Sequence, residues 1–202
     1  MVKKGNAEEI LNLLPQKQSS VLTRSIQSTE YCVYLHGAIG EPQQWYEHYA
    51  VYKSAGPDDI IKLYINSPGG NMATAMEYIN HMEKCNAPIM AIIGMDCASA
   101  ATAIALAADG WETNSFSTFL VHGFSYGLGG NAAHVMNHAS FNTRLNERFI
   151  REIYGSFLTD EEVADILKGV DVLIDSDDLN KRLEALANER DNEEEYDEPE
   201  EQ

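Results

Sequence analysis

The sequence predicts one α/β domain, and three observations carry that expectation. Short β-branched or aromatic runs, such as IIKLYIN at 60–66 and FSTFLVHG at 116–123, alternate with segments of helical spacing. That alternation builds a sheet covered by helices. The run IMAIIGM at 89–95 is continuously apolar, as expected of a strand covered on both faces. The chain has 202 residues, 44% of them hydrophobic, which suffices for one sizeable core and leaves little room for a second.

The elements follow in order. Residues 1–28 mix charges, Ser and Gln around one short apolar run, Ile10 to Leu14. They read as an N-terminal arm with one helical turn, and the main domain is expected over 29–188. YCVYLHG at 31–37 opens the sheet. A helix is expected from Glu41 to Lys53, with Pro42 suited to its first turn and Gly56 just past its end. The strand at 60–66 is closed by the turn Ser67-Pro68-Gly69-Gly70. Asn71 to Asn86 carries Met72, Met76, Ile79 and Met82 at helical spacing, and Pro88 follows. After the strand at 89–95, SAATAIALAAD at 99–109 is almost wholly small or apolar and reads as a buried helix.

Beyond the strand at 116–123 comes the Gly-rich passage FSYGLGGN at 124–131, then a long helix from Ala132 to Tyr154. Thr159-Asp160-Glu161-Glu162 is a capping box, opening a short helix that Gly169 can close. A last helix starts near Ser176 and runs into the acidic tail. From Glu189 to Gln202 there are nine acidic residues and one arginine, a segment expected to be a disordered acidic tail because its charges repel and it has little to bury.

Composition excludes several functions. With 14 Lys+Arg against 32 Asp+Glu and a net charge of −18, the chain lacks the cations that a phosphate-binding surface needs, so no nucleic-acid partner is expected. No stretch approaches the roughly 18 apolar residues of a membrane span. The start lacks the apolar region of a signal peptide. Cys32, Cys85 and Cys97 form no CxxC and read as reduced core thiols of a cytoplasm-like compartment.

Ser99 is the residue that first looks chemical. It lies between an apolar strand and an apolar helix, where free N–H groups and the helix dipole can stabilise an oxyanion and small neighbours admit a carbonyl. The plain alternative is a serine N-cap. A serine nucleophile needs a base, and His122 at the end of the next strand falls near the same sheet edge. Asp171, just past a helix end, is one of many acids able to orient an imidazole. His36, His48 and His81 read as structural. His134 and His138 have the i, i+4 spacing of a zinc helix, but Val135 stands where HExxH has its glutamate. Gly127-Leu128-Gly129-Gly130 lacks the Lys-Ser/Thr of a nucleotide loop. No metal or cofactor is expected.

Together these segments resemble the Clp protease proteolytic subunit family, within the crotonase-like fold. LYINSPGG (63–70) is similar to the strand and turn that supply one oxyanion amide, CASAA (97–101) to the serine box, and FLVHG (119–123) to the strand bearing the histidine. Lys168-Gly169-Val170-Asp171 falls where the family has its acid, and VYLHGAI (33–39) resembles its first core strand. The resemblance covers about residues 30–175 and implies repeated β-β-α units in one domain with a helical handle. It also implies Ser99 as nucleophile, His122 as base, Asp171 as orienting acid, and the amides of Gly70 and Ala100 as oxyanion hole.

The activity implied is a serine endopeptidase acting on peptides or unfolded chains inside a homo-oligomeric chamber. That chamber is a heptameric ring, with two rings face to face as a further form. A separate AAA+ unfoldase would be the partner for folded substrates, in a bacterial or phage-infected cytoplasm. Ala100 and Ala101 replace the family's Met-Gly, a variation resembling phage-encoded relatives, and Gly123-Phe124 replaces its Gln-Pro. Two other classes remain as alternatives: a non-catalytic phage assembly or scaffold protein, and a crotonase-type acyl-CoA enzyme.

Overall fold

The computed structural model describes residues 28–197. The expected N-terminal arm, Ser28 apart, and the end of the tail lie outside the described residues. The chain runs through β1 (Glu30–His36), a 3-10 turn (Pro42–Trp45) leading into α1 (Tyr46–Ser54), β2 (Ile60–Ser67) and α2 (Met72–Met82). Then come β3 (Ile89–Ala98), α3 (Ala100–Leu106), β4 (Gly110–Glu112) and β5 (Thr118–Val121). The long α4 (Ala132–Tyr154), α5 (Asp160–Leu167), β6 (Val172–Ile174) and α6 (Ser176–Asp197) complete it. The strands form one sheet in the order β1-β2-β3-β5-β6, with β4 also paired to β3. All pairs are parallel except β5 with β6. The fold is α/β; β4, β5 and α4 make one β-β-α unit, while β1 to β3 alternate singly with helices.

Each long strand alternates. Val33, Leu35, Ile61, Leu63, Ile65, Ala91 and Ile93 point into the core and are at most 4% exposed. On the opposite face Tyr34 stacks on Tyr64 with centroids 5.0 Å apart, and Tyr34 is exposed. The expectation that 89–95 is covered on both faces therefore holds for one face only: Met90 and Ile92 remain half-exposed. Among the described residues the helices supply no second covering layer there.

Local signals explain the helix ends. Asn71 Oδ1 accepts from the N–H groups of Ala73 and Thr74, capping α2. Thr159 and Glu162 form the reciprocal capping box of α5. α4 buries only Phe149, Ile150 and Tyr154, all near its C-terminal end, and leaves Met136 and Phe141 exposed.

α6 continues to Asp197, and Arg190 docks, donating at 2.8 Å to the carbonyls of Leu106 and Ala108 while its guanidinium lies 4.9 Å over the Trp111 ring. Charge repulsion along the tail loses here to one cation that satisfies two carbonyls at the C-terminal end of α3. Cys32 is exposed, not a core thiol; it lies on the uncovered face of β1. Cys97 is buried, and burial holds its thiol well above the ordinary range.

Candidate active site

Ser99 links β3 to α3 with φ of 55° and ψ of −128°, the one positive φ outside glycine among the described residues. Such backbone costs a non-glycine residue about 1–3 kcal/mol and persists where the surroundings enforce it. A sharp strand-to-helix turn of this kind projects a hydroxyl off the sheet edge. The N-cap alternative is set aside by the bonding, because the Ser99 side chain makes no cap hydrogen bond.

The Ser67-Pro68-Gly69-Gly70 turn is built against this junction. Ser67 Oγ donates to the Gly37 carbonyl at 2.6 Å and accepts from Gly69 N–H at 3.1 Å. Gly69 has φ of 84°, and a Cβ there would lie 2.5 Å from the Ala98 carbonyl oxygen and 2.7 Å from Ser99 Cβ. Gly70 sits against Ile39, whose carbonyl a Cβ would overlap. Ile39 bonds the flanking peptides instead, donating to Gly69 O and accepting from Asn71 N–H. Among the described residues, neither Gly70 N–H nor Ala100 N–H has an acceptor. At Ala100 this follows from its position in the first helical turn.

His122 follows β5, which pairs with β3 through Ala98↔Leu120. Ser99 N–H donates to the Leu120 carbonyl at 2.7 Å, so the histidine strand is tied to the serine junction by backbone. The His122 Nδ1 lies 2.6 Å from the Gly123 carbonyl. A carbonyl only accepts, so Nδ1 carries the proton, and in the neutral ring the lone pair is then on Nε2.

Asp171 is brought near by the antiparallel pair. The register ends at Val121↔Val172, so the next residues outward are His122 and Asp171. The Asp171 side chain is exposed and makes no hydrogen bond among the described residues.

Ser99 and His122 line one cleft of about 370 Å3, together with Gly70, Met72, Phe124, Tyr126 and Asn142. His122 and Asp171 line an adjoining cleft of about 400 Å3 with Asn142 and Asn146. The structure thus gathers the three side chains around two abutting clefts. It contains neither a Ser99–His122 nor a His122–Asp171 hydrogen bond among its described contacts. Catalytic hydrogen bonds often tighten only when substrate is bound.

The other histidines behave as side chains of the fold. His48 Nδ1 meets Tyr78 Oη at 2.8 Å and burial lowers its pKa; His81 stacks on Tyr49 at 4.4 Å. The rings of His134 and His138 face each other at 4.2 Å on α4.

One contributor to the site escaped sequence reasoning, and for Ser67 and Gly69 the SPGG motif was legible but not their contacts. Asn146 Oδ1 accepts from Phe124 N–H at 2.7 Å and so anchors the segment after the histidine. One asparagine on a long polar helix carries no signal in one dimension.

The family model for Clp protease matches residues 22–186, which includes every residue of both clefts. No curated protein matches the chain.

Proposed function

We propose, from the premise that this chain belongs to the Clp protease family, that its peptidase activity is of the serine type and runs through Ser99, His122 and Asp171. The observation that carries this reading is the Ser99 junction. It combines a positive φ, a hydroxyl not used as a cap, and two nearby amides without acceptors.

Ser99 Oγ attacks the scissile carbonyl carbon as its proton passes to His122 Nε2. The oxyanion takes hydrogen bonds from Gly70 N–H and Ala100 N–H. Collapse expels the amine, which takes the proton from Nε2, and leaves an ester on Ser99. Water then attacks the ester by the same route, with Nε2 as base. The Gly123 carbonyl already selects the useful tautomer of His122, but it is neutral. Asp171, one register step away, adds the negative charge that an imidazolium requires once its ring turns from Gly123 toward the carboxylate.

The working unit in this reading is a heptameric ring, with a double ring as the larger form, built from domains spanning 29–188. Apolar side chains left exposed on α4, Met136, Phe141 and Leu145, support such assembly. Enclosure limits access to peptides and unfolded chains, and an AAA+ unfoldase would feed folded ones from the same cytoplasm. No described helix is long and apolar enough to cross a membrane. The test combines a fluorophosphonate label with native mass measurement. Labelling of Ser99 in a ring-sized particle that cleaves an unstructured peptide is expected. An assembled protein that neither labels nor cleaves overturns the peptidase reading in favour of a scaffold.

A further inference from the structure

Beneath the Ser99 junction, two hydroxyls are stacked in the core. Thr102 is fully buried and its Oγ1 lies 2.7 Å from the Ser99 carbonyl oxygen. Tyr154 is 1% exposed, and its Oη lies 2.9 Å from the same Thr102 Oγ1. The directions are forced. A carbonyl only accepts, so the Thr102 hydroxyl proton goes to Ser99 O, and the Tyr154 hydroxyl must donate to Thr102. Thr102 N–H also reaches Ser99 O, at 2.9 Å. The Ser99 carbonyl therefore accepts twice from one residue while its N–H is held by Leu120. Both peptides flanking the positive φ are clamped.

We propose that Thr102 and Tyr154 are positioning residues for the nucleophile: a two-hydroxyl relay that holds the Ser99 backbone in the conformation from which Oγ can attack. This rests on the serine-peptidase reading for its kinetic consequence, but not for its structural one.

The chemistry favours this over simple core filling. An ordinary helix of small apolar residues has no need of a threonine here: Ala100, Ala101, Ala103, Ile104 and Ala105 complete the same buried helix. A buried hydroxyl without a partner is costly, so a threonine hydroxyl in this helix is tolerated because Ser99 O and Tyr154 Oη accept and supply its bonds. Tyr154 is the last residue of α4, 52 positions away in sequence. The relay therefore also ties the end of the long helix to the serine, and nothing else in that helix reaches the junction through a hydrogen bond among the described residues.

Substitutions that keep volume but change the hydroxyls test it. Thr102→Val retains the branched shape; Thr102→Ser retains the donor; Tyr154→Phe removes the upper hydroxyl alone. For Thr102→Val, the fluorophosphonate acylation rate and kcat should fall about 10–100-fold with KM within about twofold, the signature of a displaced attacking atom. Thr102→Ser should restore most of that loss. Tyr154→Phe should give a smaller drop, and the double variant should lose less than the product of the two single losses. Amide hydrogen exchange over residues 98–102 should quicken in Thr102→Val and return toward the parent in Thr102→Ser.

Acylation at the parent rate in Thr102→Val, or equal loss in Thr102→Val and Thr102→Ser, overturns the proposal. If the parent itself takes no label, the peptidase reading falls instead. The exchange measurement then decides the relay alone, and unchanged exchange in Thr102→Val overturns it.

Discussion

The junction that carries Ser99 and the turn that carries Asp171 meet at the same pair of clefts but are built differently. Around Ser99 the residues Ala98, Ala100, Ala101 and Thr102 are buried, and both backbone groups of Ser99 are bonded. Around Asp171 the chain is exposed from Lys168's successor Gly169 to Asp171, and the carboxylate has no partner among the described residues. The serine side is held by core packing, so its geometry exists before any substrate arrives. The acid side is set only by strand register, so in the proposed reaction its last contact forms during use. In a site assembled this way, substitutions on the serine side should act on geometry, and those on the acid side on charge.

The largest effects should come from the reacting groups. Ser99→Ala is expected to abolish labelling and peptide cleavage with assembly intact, and His122→Ala to come close to it. Asp171→Asn should cost less, about 10²-fold in kcat against the roughly 10⁴-fold of a pre-bonded triad acid, because the Gly123 carbonyl still fixes the tautomer. Steady-state kinetics on one peptide orders the three. A loss for Asp171→Asn equal to that of Ser99→Ala would mean that the acid is as pre-organised as the serine.

Two glycines sharpen the contrast at the level of backbone. Gly69 and Gly169 both have positive φ, 84° and 92°, so alanine strains each by about 1 kcal/mol or more. At Gly69 the new Cβ also meets the Ala98 carbonyl and Ser99, whereas at Gly169 nothing lies within 4 Å. Gly69→Ala should therefore destabilise by several-fold more than Gly169→Ala and remove labelling, while Gly169→Ala should keep most activity. Denaturant unfolding together with labelling of each variant checks this.

Next is the clamp at the far end of the serine helix. Arg190→Ala removes two charge-assisted hydrogen bonds to Leu106 and Ala108 and the contact with Trp111. A loss of about 2 kcal/mol is expected, or a Tm lower by about 4–8 °C. A chain ending at Asn188 should show a similar loss.

The smallest effect concerns the acid side's support. Arg182 grips Glu162 through two bonds of 2.8 Å and holds its pKa below the ordinary glutamate range. Because the folded value is depressed, this stabilisation is complete above the unfolded pKa and is lost as pH falls through the folded one. Glu162→Gln should cost about 1 kcal/mol at neutral pH and flatten the acid side of the stability profile, which thermal melts from neutral to acid pH would record.

Much of this molecule was legible in one dimension. The bounds of α4, the capping box at Thr159, the strand at 60–66 and the SPGG turn all follow from local chemistry: periodicity, caps and turn residues act within a few positions. Ser99 and His122 stood out as candidates for the same reason, whereas Asp171 was one of many acids and was singled out only by the family resemblance. The three-residue strands β4 and β6 were not legible, because segments so short become strands only when a neighbour pairs with them. The same holds for Arg190, whose place in an acidic run gives no sign that two carbonyls some 80 residues earlier await it.

What the sequence by itself determined is the order of elements and which side chains are candidates for chemistry, since these depend on near neighbours. Tertiary structure alone decided the rest. It set the positive φ at Ser99, with contacts from β5 and the SPGG turn. It left Asp171 one register step from His122. It joined Thr102 to Tyr154. Each of these is a contact between distant parts of the chain, and only packing determines which distant parts meet.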